Sequence, residues 1–307
     1  KMTNQPSPVG AGKGRSEGSG MPADIDREAL RREVDAALGH HRPEQDQGPQ
    51  KFQVNDSSSI RHVVGVISGK GGVGKSLVCG ILADGLRRRG HRVAILDADI
   101  TGPSIPKMFG LSGAHALSSD GTHIDAVESP GGVKVMSTNL VVENETDPVL
   151  WRGPMLMGAL KQFFEDTLWG EVDYLLVDMP PGTGDVALTV FQSLPIEGVV
   201  IVSSPQDLVR MVVGKAVNMA SMMGVPVLGV VENMSYVKCP GCGRRIELYG
   251  PSHLSATTEA FGIKALGQLP VDPAIAASCD AGDFEERLPE GLIPDALAAV
   301  EALDSRA

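Results

Sequence analysis

From Ile60 onward the apolar residues fall in two rhythms, short unbroken runs and helical periodicities, and the two alternate. Arg61-His62-Val63-Val64-Gly65-Val66-Ile67-Ser68 is a β-branched run suited to a strand buried on both faces. Leu77 to Arg89 repeats apolar residues at helical spacing and stops at Gly90, a natural residue just past a helix end. Arg92–Leu96, Val172–Val177 and Val227–Val231 read as further buried strands. Alternation of this kind to about Ser278 implies right-handed crossovers and a parallel sheet. The expected fold class is α/β, a mostly parallel sheet with helices on both faces in one main domain. A closing acidic helix is expected over 293–304, amphipathic but without the basic face of a membrane-targeting helix.

Before Ile60 neither rhythm holds. Residues 1–20 are rich in Gly, Ser, Pro and Lys and read as disordered; Ala23–Leu38 has a weak apolar stripe fit for a short helix capped by Asp24. His40–Ser59 reads as linker, with His40 and His41 a solvated pair rather than metal ligands. The expected plan is an extension over 1–59 and a domain over 60–307.

Composition narrows the partners. The 307 residues suit one large domain, and the net charge of −11 argues against nucleic acid, whose phosphates need clustered Lys and Arg. No uninterrupted apolar run of about 18 residues predicts a membrane span. With no leader pattern and only four cysteines, the protein is expected to be cytoplasmic.

The chemistry begins at the end of the first strand. Gly69-Lys70-Gly71-Gly72-Val73-Gly74-Lys75-Ser76 has the glycines that let successive N–H groups curl around an anion, with a helix N-terminus behind them. Lys75 is placed to reach β- and γ-phosphates and the Ser76 hydroxyl to ligate Mg²⁺, so the expected fold is that of a P-loop NTPase. Lys70 is an additional cation one residue after the first glycine. Two other strands run into acidic loops, at Asp97-Ala98-Asp99 and at Asp178-Met179-Pro180-Pro181-Gly182-Thr183-Gly184-Asp185. Ligands of open parallel sheets sit beyond the carboxyl ends of strands, so both loops are expected to face the phosphate loop. Asp178 suits the Mg²⁺ shell, Asp99 the orientation of an attacking water, and Asp97 support of the metal.

Cys239-Pro240-Gly241-Cys242 adds a second chemistry. Two thiolates two residues apart can bind one soft metal centre from a tight turn, but supply only half of a four-thiolate shell. A symmetric dimer would bring two such pairs together. A shared zinc, a redox dithiol and an inert turn remain open on these residues alone. Arg244 and Arg245 are placed to lower the thiol pKa values. Met211, Met219, Met222 and Met223 read mainly as helix packing, Cys79 as core, and Cys279 as either an accessory ligand or a small buried side chain.

Gly69–Ser76 resembles the deviant Walker A motif of the ParA/MinD-type ATPases, with Lys70 as the signature lysine. Within that superfamily residues 60–285 are most similar to the Mrp-type iron–sulfur cluster carrier ATPases. The segments that carry this are Asp97–Ser104, Trp151-Arg152-Gly153-Pro154, Asp178–Asp185, Val231-Glu232-Asn233-Met234-Ser235 and Cys239–Gly243. The resemblance implies two facing subunits, a homodimer or a pair of paralogues, in which Lys70 contacts nucleotide phosphate across the interface. It implies ATP held by Gly69–Ser76 and Leu77, Mg²⁺ at Ser76 and Asp178, adenine contacts from Asn233 and from the loop at Pro270, and Lys70, Lys75 and Asp99 as catalytic residues. It further implies a labile [4Fe–4S] cluster bridging Cys239 and Cys242 of both chains, received from a scaffold or donor and passed to apo-proteins. No cysteine precedes Cys79, so no second, N-terminal cluster is expected. The competing reading is a ParA/MinD-like positioning or partitioning switch; a nitrogenase-reductase-like electron donor, which uses two well-separated single cysteines, ranks below both.

Overall fold

In a computed structural model, residues 51–100, 102–142, 153–205 and 209–305 are described. The helix expected at 23–38, most of the linker, Thr101, Trp151 and Arg152 lie outside them. The chain divides into compact units of residues 1–48 and 49–307, and the second contains every described residue.

Its strands are β1 (Ser59–Ser68), β2 (Val93–Asp97), β3 (Ile124–Asp125), β4 (Val127–Glu128), β5 (Lys134–Met136), β6 (Thr167–Leu168), β7 (Glu171–Asp178), β8 (Gly198–Ser203), β9 (Val227–Lys238), β10 (Arg245–Ile246) and β11 (Ala265–Pro270). The helices are α1 (Lys75–Arg88), α2 (Ile105–Met108), α3 (Gly153–Glu165), α4 (Asp185–Ser193), α5 (Val209–Met222), α6 (Leu254–Phe261), α7 (Pro273–Ala281), α8 (Phe284–Arg287) and α9 (Pro294–Glu301). The main sheet runs β10-β9-β8-β1-β7-β2-β5-β4, with β11 also on β9. From β11 and β9 through β8, β1, β7 and β2 to β5 the pairing is parallel.

The period-2 alternation of β1 explains the layers. Val64 and Val66 point into a core with Val78 and Leu82 of α1 and Leu297 of α9, while Val63 and Ile67 point into another with Phe163 of α3, Phe191 of α4 and Val213 of α5. Each such fully buried aliphatic side chain contributes roughly 2 kcal/mol. Both faces are therefore covered, which is why these strands are apolar runs rather than alternating ones.

Two expectations change. Residues 51–58, read as linker, pack on the domain: Phe52 N–H donates to the Ser193 carbonyl at 2.8 Å and Asn55 Nδ2 to the carbonyls of Glu165 and Thr167 at 2.8 Å. The strand expected to stop at Val231 continues to Lys238, because β11 and then β10 extend its edge pairing. Of the methionines, Met219 is buried and Met223 packs on the core, whereas Met211 and Met222 are exposed. The C-terminal helix buries Ala296, Leu297 and Val300. Just beyond it, Asp304 accepts from Tyr174 Oη at 2.6 Å and lies 3.0 Å from His62 Nε2.

Candidate nucleotide site and cysteine turn

The phosphate loop joins β1 to α1, and its glycines are required by contact as well as by torsion. A Cβ on Gly69 would meet the Val212 carbonyl of α5 at 2.4 Å. Gly74 has φ +81°, and a Cβ there would lie 2.1 Å from Asn233 Nδ2. Gly74 also precedes the first turn of α1, whose N–H groups receive no side-chain cap from it.

Three strand ends converge on this loop. Val66 of β1 stands opposite Asp178 of β7, and Asp178 stands opposite Asp97 of β2. Lys75 Nζ donates to Asp178 Oδ1 at 2.6 Å and lies 3.7 Å from Asp99 Oδ2, while Ser76 Oγ donates to Asp178 Oδ2 at 2.5 Å. Burial works against the Lys75 charge, but Asp178, then Asp99 and Asp97, outweigh it and hold the ammonium above its usual range. Three carboxylates and one buried cation leave an excess of negative charge. Burial raises the carboxyls of both Asp178 and Asp97; at Asp97 burial, then the charge on Asp178, outweighs the pull of Lys75 and pushes the group up to about 8. Asp97 accepts from the N–H groups of Asp99 and Ile105 and from Ser137 Oγ. These three bonds tie the end of β2 to Asp99, to the start of α2 and to Ser137. Lys70 is half-buried in the loop.

Ser76 Oγ and the Asp178 carboxylate are adjacent hard oxygen donors at a buried strand end. This set fits Mg²⁺, which takes one or two protein oxygens and completes its shell with water and phosphate.

On the far side of α1, a cavity of about 130 Å³ is lined by Leu77, Ile81, Asn233, Met234, Pro270 and Asp272, among others. It is an apolar slot beside a phosphate loop, in keeping with a purine. Asn233 does more than line it: its Nδ2 donates to the Val73 carbonyl at 2.9 Å, so the amide braces the phosphate loop. The motif around Asn233 was visible in sequence; that contact was not.

The cysteine turn sits at the end of β9. β10 pairs back on Val237 and Lys238, and Cys239 and Arg244 close the turn through a 2.9 Å backbone bond from Cys239 N–H to the Arg244 carbonyl. Residues 240–249 are exposed, including Ile246, Leu248 and Tyr249. The backbone N–H groups of Cys242 and Gly241, then the Cys242 thiol, hold the Cys239 thiol below its usual range. The arginines do not supply this effect, contrary to expectation; Arg245 stacks over Tyr236, 4.1 Å from its ring centroid. Cys79 is fully buried in the core. Cys279 lies on α7, where burial pushes its thiol up to about 11. Among the described residues no group of three or more His, Cys, Asp or Glu could hold a metal ion.

A family model described as the ParA-group NUBPL iron-transfer P-loop NTPase matches residues 59–300. The chain belongs to that family. An iron–sulfur cluster carrier protein of Clostridium perfringens is 48% identical over 248 residues, 79% of this chain and 87% of its own length. One from Aquifex aeolicus is 43% identical over 224 residues, 73% of this chain and 61% of its own length. Among solved structures, a nucleotide-binding protein of Archaeoglobus fulgidus in complex with ADP aligns with a TM-score of 0.68 at 41% identity, covering 76% of this chain and 92% of that one. The cell division ATPase MinD of Pyrococcus furiosus has the same fold, with a TM-score of 0.52 at 21% identity over 80% of this chain and 99% of that one. The P-loop NTPase fold with a mostly parallel sheet is thereby established. Within the described residues no helix is long and apolar enough to cross a membrane.

Proposed function

We propose that the protein is an ATP-hydrolysing carrier that holds a labile [4Fe–4S] cluster between the Cys239/Cys242 turns of two copies and delivers it to apo-proteins. The observation that carries this reading is the turn itself: two thiols at an exposed tip, directly continuing the strand that braces the phosphate loop. One turn supplies two thiolates where a cluster needs four, and the exposed Ile246, Leu248 and Tyr249 beside it offer apolar surface for a second copy. The names of the relatives and the ADP of the Archaeoglobus structure agree with it.

In this reading Gly69–Ser76 and Leu77 cradle the nucleotide, Asn233 and Pro270 flank the base, and Lys75 leaves Asp178 for the phosphates. Mg²⁺ held by Ser76 and Asp178 supplies neutralisation of phosphate charge. Asp99 orients a water for attack on the γ-phosphorus as the bond to the ADP oxygen breaks, giving ADP and inorganic phosphate. Lys70 of each copy supports the charge developing in the other's site.

The test is anaerobic reconstitution with iron and sulfide of the full chain and of Cys239→Ala and Cys242→Ala. The expected result is about four irons per dimer with charge-transfer absorption, lost in both variants. Iron uptake indifferent to both substitutions, or a bound zinc that iron does not replace, would sink the reading.

A further inference from the structure

Glu232 is fully buried, and its side-chain hydrogen bonds go to residues outside both the phosphate loop and the cysteine turn. Its Oε2 accepts from Ser235 Oγ at 2.5 Å, Ser252 Oγ at 2.7 Å and Gln268 Nε2 at 3.0 Å. Ser252 ends the exposed segment that leaves β9 at the cysteine turn, so this segment is fastened back onto the strand that launched it. The neighbouring residue, Asn233, points the other way and holds the Val73 carbonyl of the phosphate loop. One strand is thus gripped from opposite faces at consecutive residues, by the loop on one side and by the far end of the cysteine segment on the other.

The next residue is Met234, the one non-glycine residue at positive φ among the described residues, at +59°. It lines the apolar slot together with Asn233. A ligand filling that slot would meet the residue at which the pairing of β9 with β11 slips register, between Glu232 and Tyr236. Beyond Met234, the Tyr236 carbonyl accepts from the Val271 N–H at 2.8 Å and the Tyr236 ring carries Arg245, so the outer part of the strand is tied both to the end of β11 and to the returning β10. Cys239 follows directly.

We propose that β9 transmits nucleotide occupancy to the cysteine turn, and that Glu232 and Ser252 are the positioning residues that make the turn change shape when the strand shifts. The inference rests on the carrier reading above for what the turn holds, but the transmission itself needs no cluster. With Glu232 and Ser252 linked, a shift of β9 at Met234 moves the beginning of the segment over 239–252 against a far end held at Glu232, and the turn between them must change shape. Without the link, the far end gives and the turn is carried along unchanged.

The experiment is alkylation of the cluster-free full chain with iodoacetamide, resolved by peptide for Cys239 and Cys242, with and without Mg-ADP. Wild type, Ser252→Ala and Ser252→Thr are compared, each with its ADP affinity. ADP is expected to change the wild-type rate at one or both thiols roughly fivefold or more. Ser252→Ala should bind ADP as wild type does and lose most of that response, and Ser252→Thr, which keeps the hydroxyl, should retain it. A response in Ser252→Ala equal to wild type, or no response in wild type, overturns the proposal. A full thiol response in a protein that loads no iron supports the transmission and overturns the cargo assignment instead.

Discussion

Lys75 Nζ lies 2.6 Å from Asp178 Oδ1, and the same carboxylate holds Ser76 through its other oxygen. One buried acid thus occupies both Lys75 and Ser76, and in the proposed reading a Mg-nucleotide draws Lys75 away from it. Asp178→Asn is expected to bind nucleotide without Mg²⁺ and to lose the tightening that Mg²⁺ confers, with hydrolysis reduced about 100-fold. Nucleotide titrations with and without Mg²⁺ measure this; a Mg²⁺ effect equal to wild type refutes it.

Lys70 is set in the loop beside the glycines that turn toward phosphate, and its proposed role lies in the partner's site. Lys70→Ala should lower ATP turnover by about 1,000-fold, the effect of removing a finger-type cation, while leaving ADP affinity nearly unchanged. Steady-state hydrolysis beside ADP binding decides it, and unchanged turnover removes the role across the interface.

Gly74 and Gly90 both have positive φ, but only at Gly74 would a Cβ meet a side chain, 2.1 Å from Asn233 Nδ2, with nothing within 4 Å at Gly90. Gly90→Ala should cost about 1–2 kcal/mol of backbone strain. Gly74→Ala should cost more and also weaken ADP binding, because Asn233 must give way. Urea midpoints with matching ADP titrations test the pair; equal costs would show that Asn233 does not press on the loop.

At the opposite end of the sheet, Asp173 of β7 accepts from Arg92 Nη2 at 2.8 Å and from the Arg92 N–H at 2.8 Å. The Arg92 side-chain hydrogen bond, then partly opposing burial and further help from the Arg92 backbone, holds its carboxyl down at about 2. A depressed acid stabilises the fold above its unfolded pKa, and that contribution is lost as pH falls from about 4 through 2. Arg92 is half-exposed and solvent screens it, so Asp173→Asn should cost only about 1 kcal/mol at pH 7. The gap to wild type should close as pH falls to 2; a gap independent of pH in thermal melts refutes the assignment.

Much of the nucleotide half of the site was legible in sequence because it is local. Gly69 to Ser76 are consecutive, their context is a strand followed by a helix, and an acid at the end of an apolar strand has few other places to go. The sequence offered Asn233 only as a candidate base contact; its bond to Val73 joins residues far apart in the chain. Glu232 stood inside a motif that drew attention, yet no role could be read for it, since two of its three partners, Ser252 and Gln268, lie outside that motif. The arginines after the cysteine pair misled for a related reason. Adjacency in sequence put them beside the thiols, whereas the hairpin pairing turns Arg245 onto Tyr236.

By itself the sequence determined the layer order, the phosphate loop, the family and the pairing of two thiols in one turn. Each of these depends on spacing within a short stretch of chain. Only the tertiary structure decided that Asp97 and Asp178 share a buried end of the sheet, which drives the Asp97 carboxyl upward. Only it decided that β9 continues past the apolar slot to the cysteines. Burial and cross-strand register set both results, and neither is encoded by residues that are neighbours in sequence.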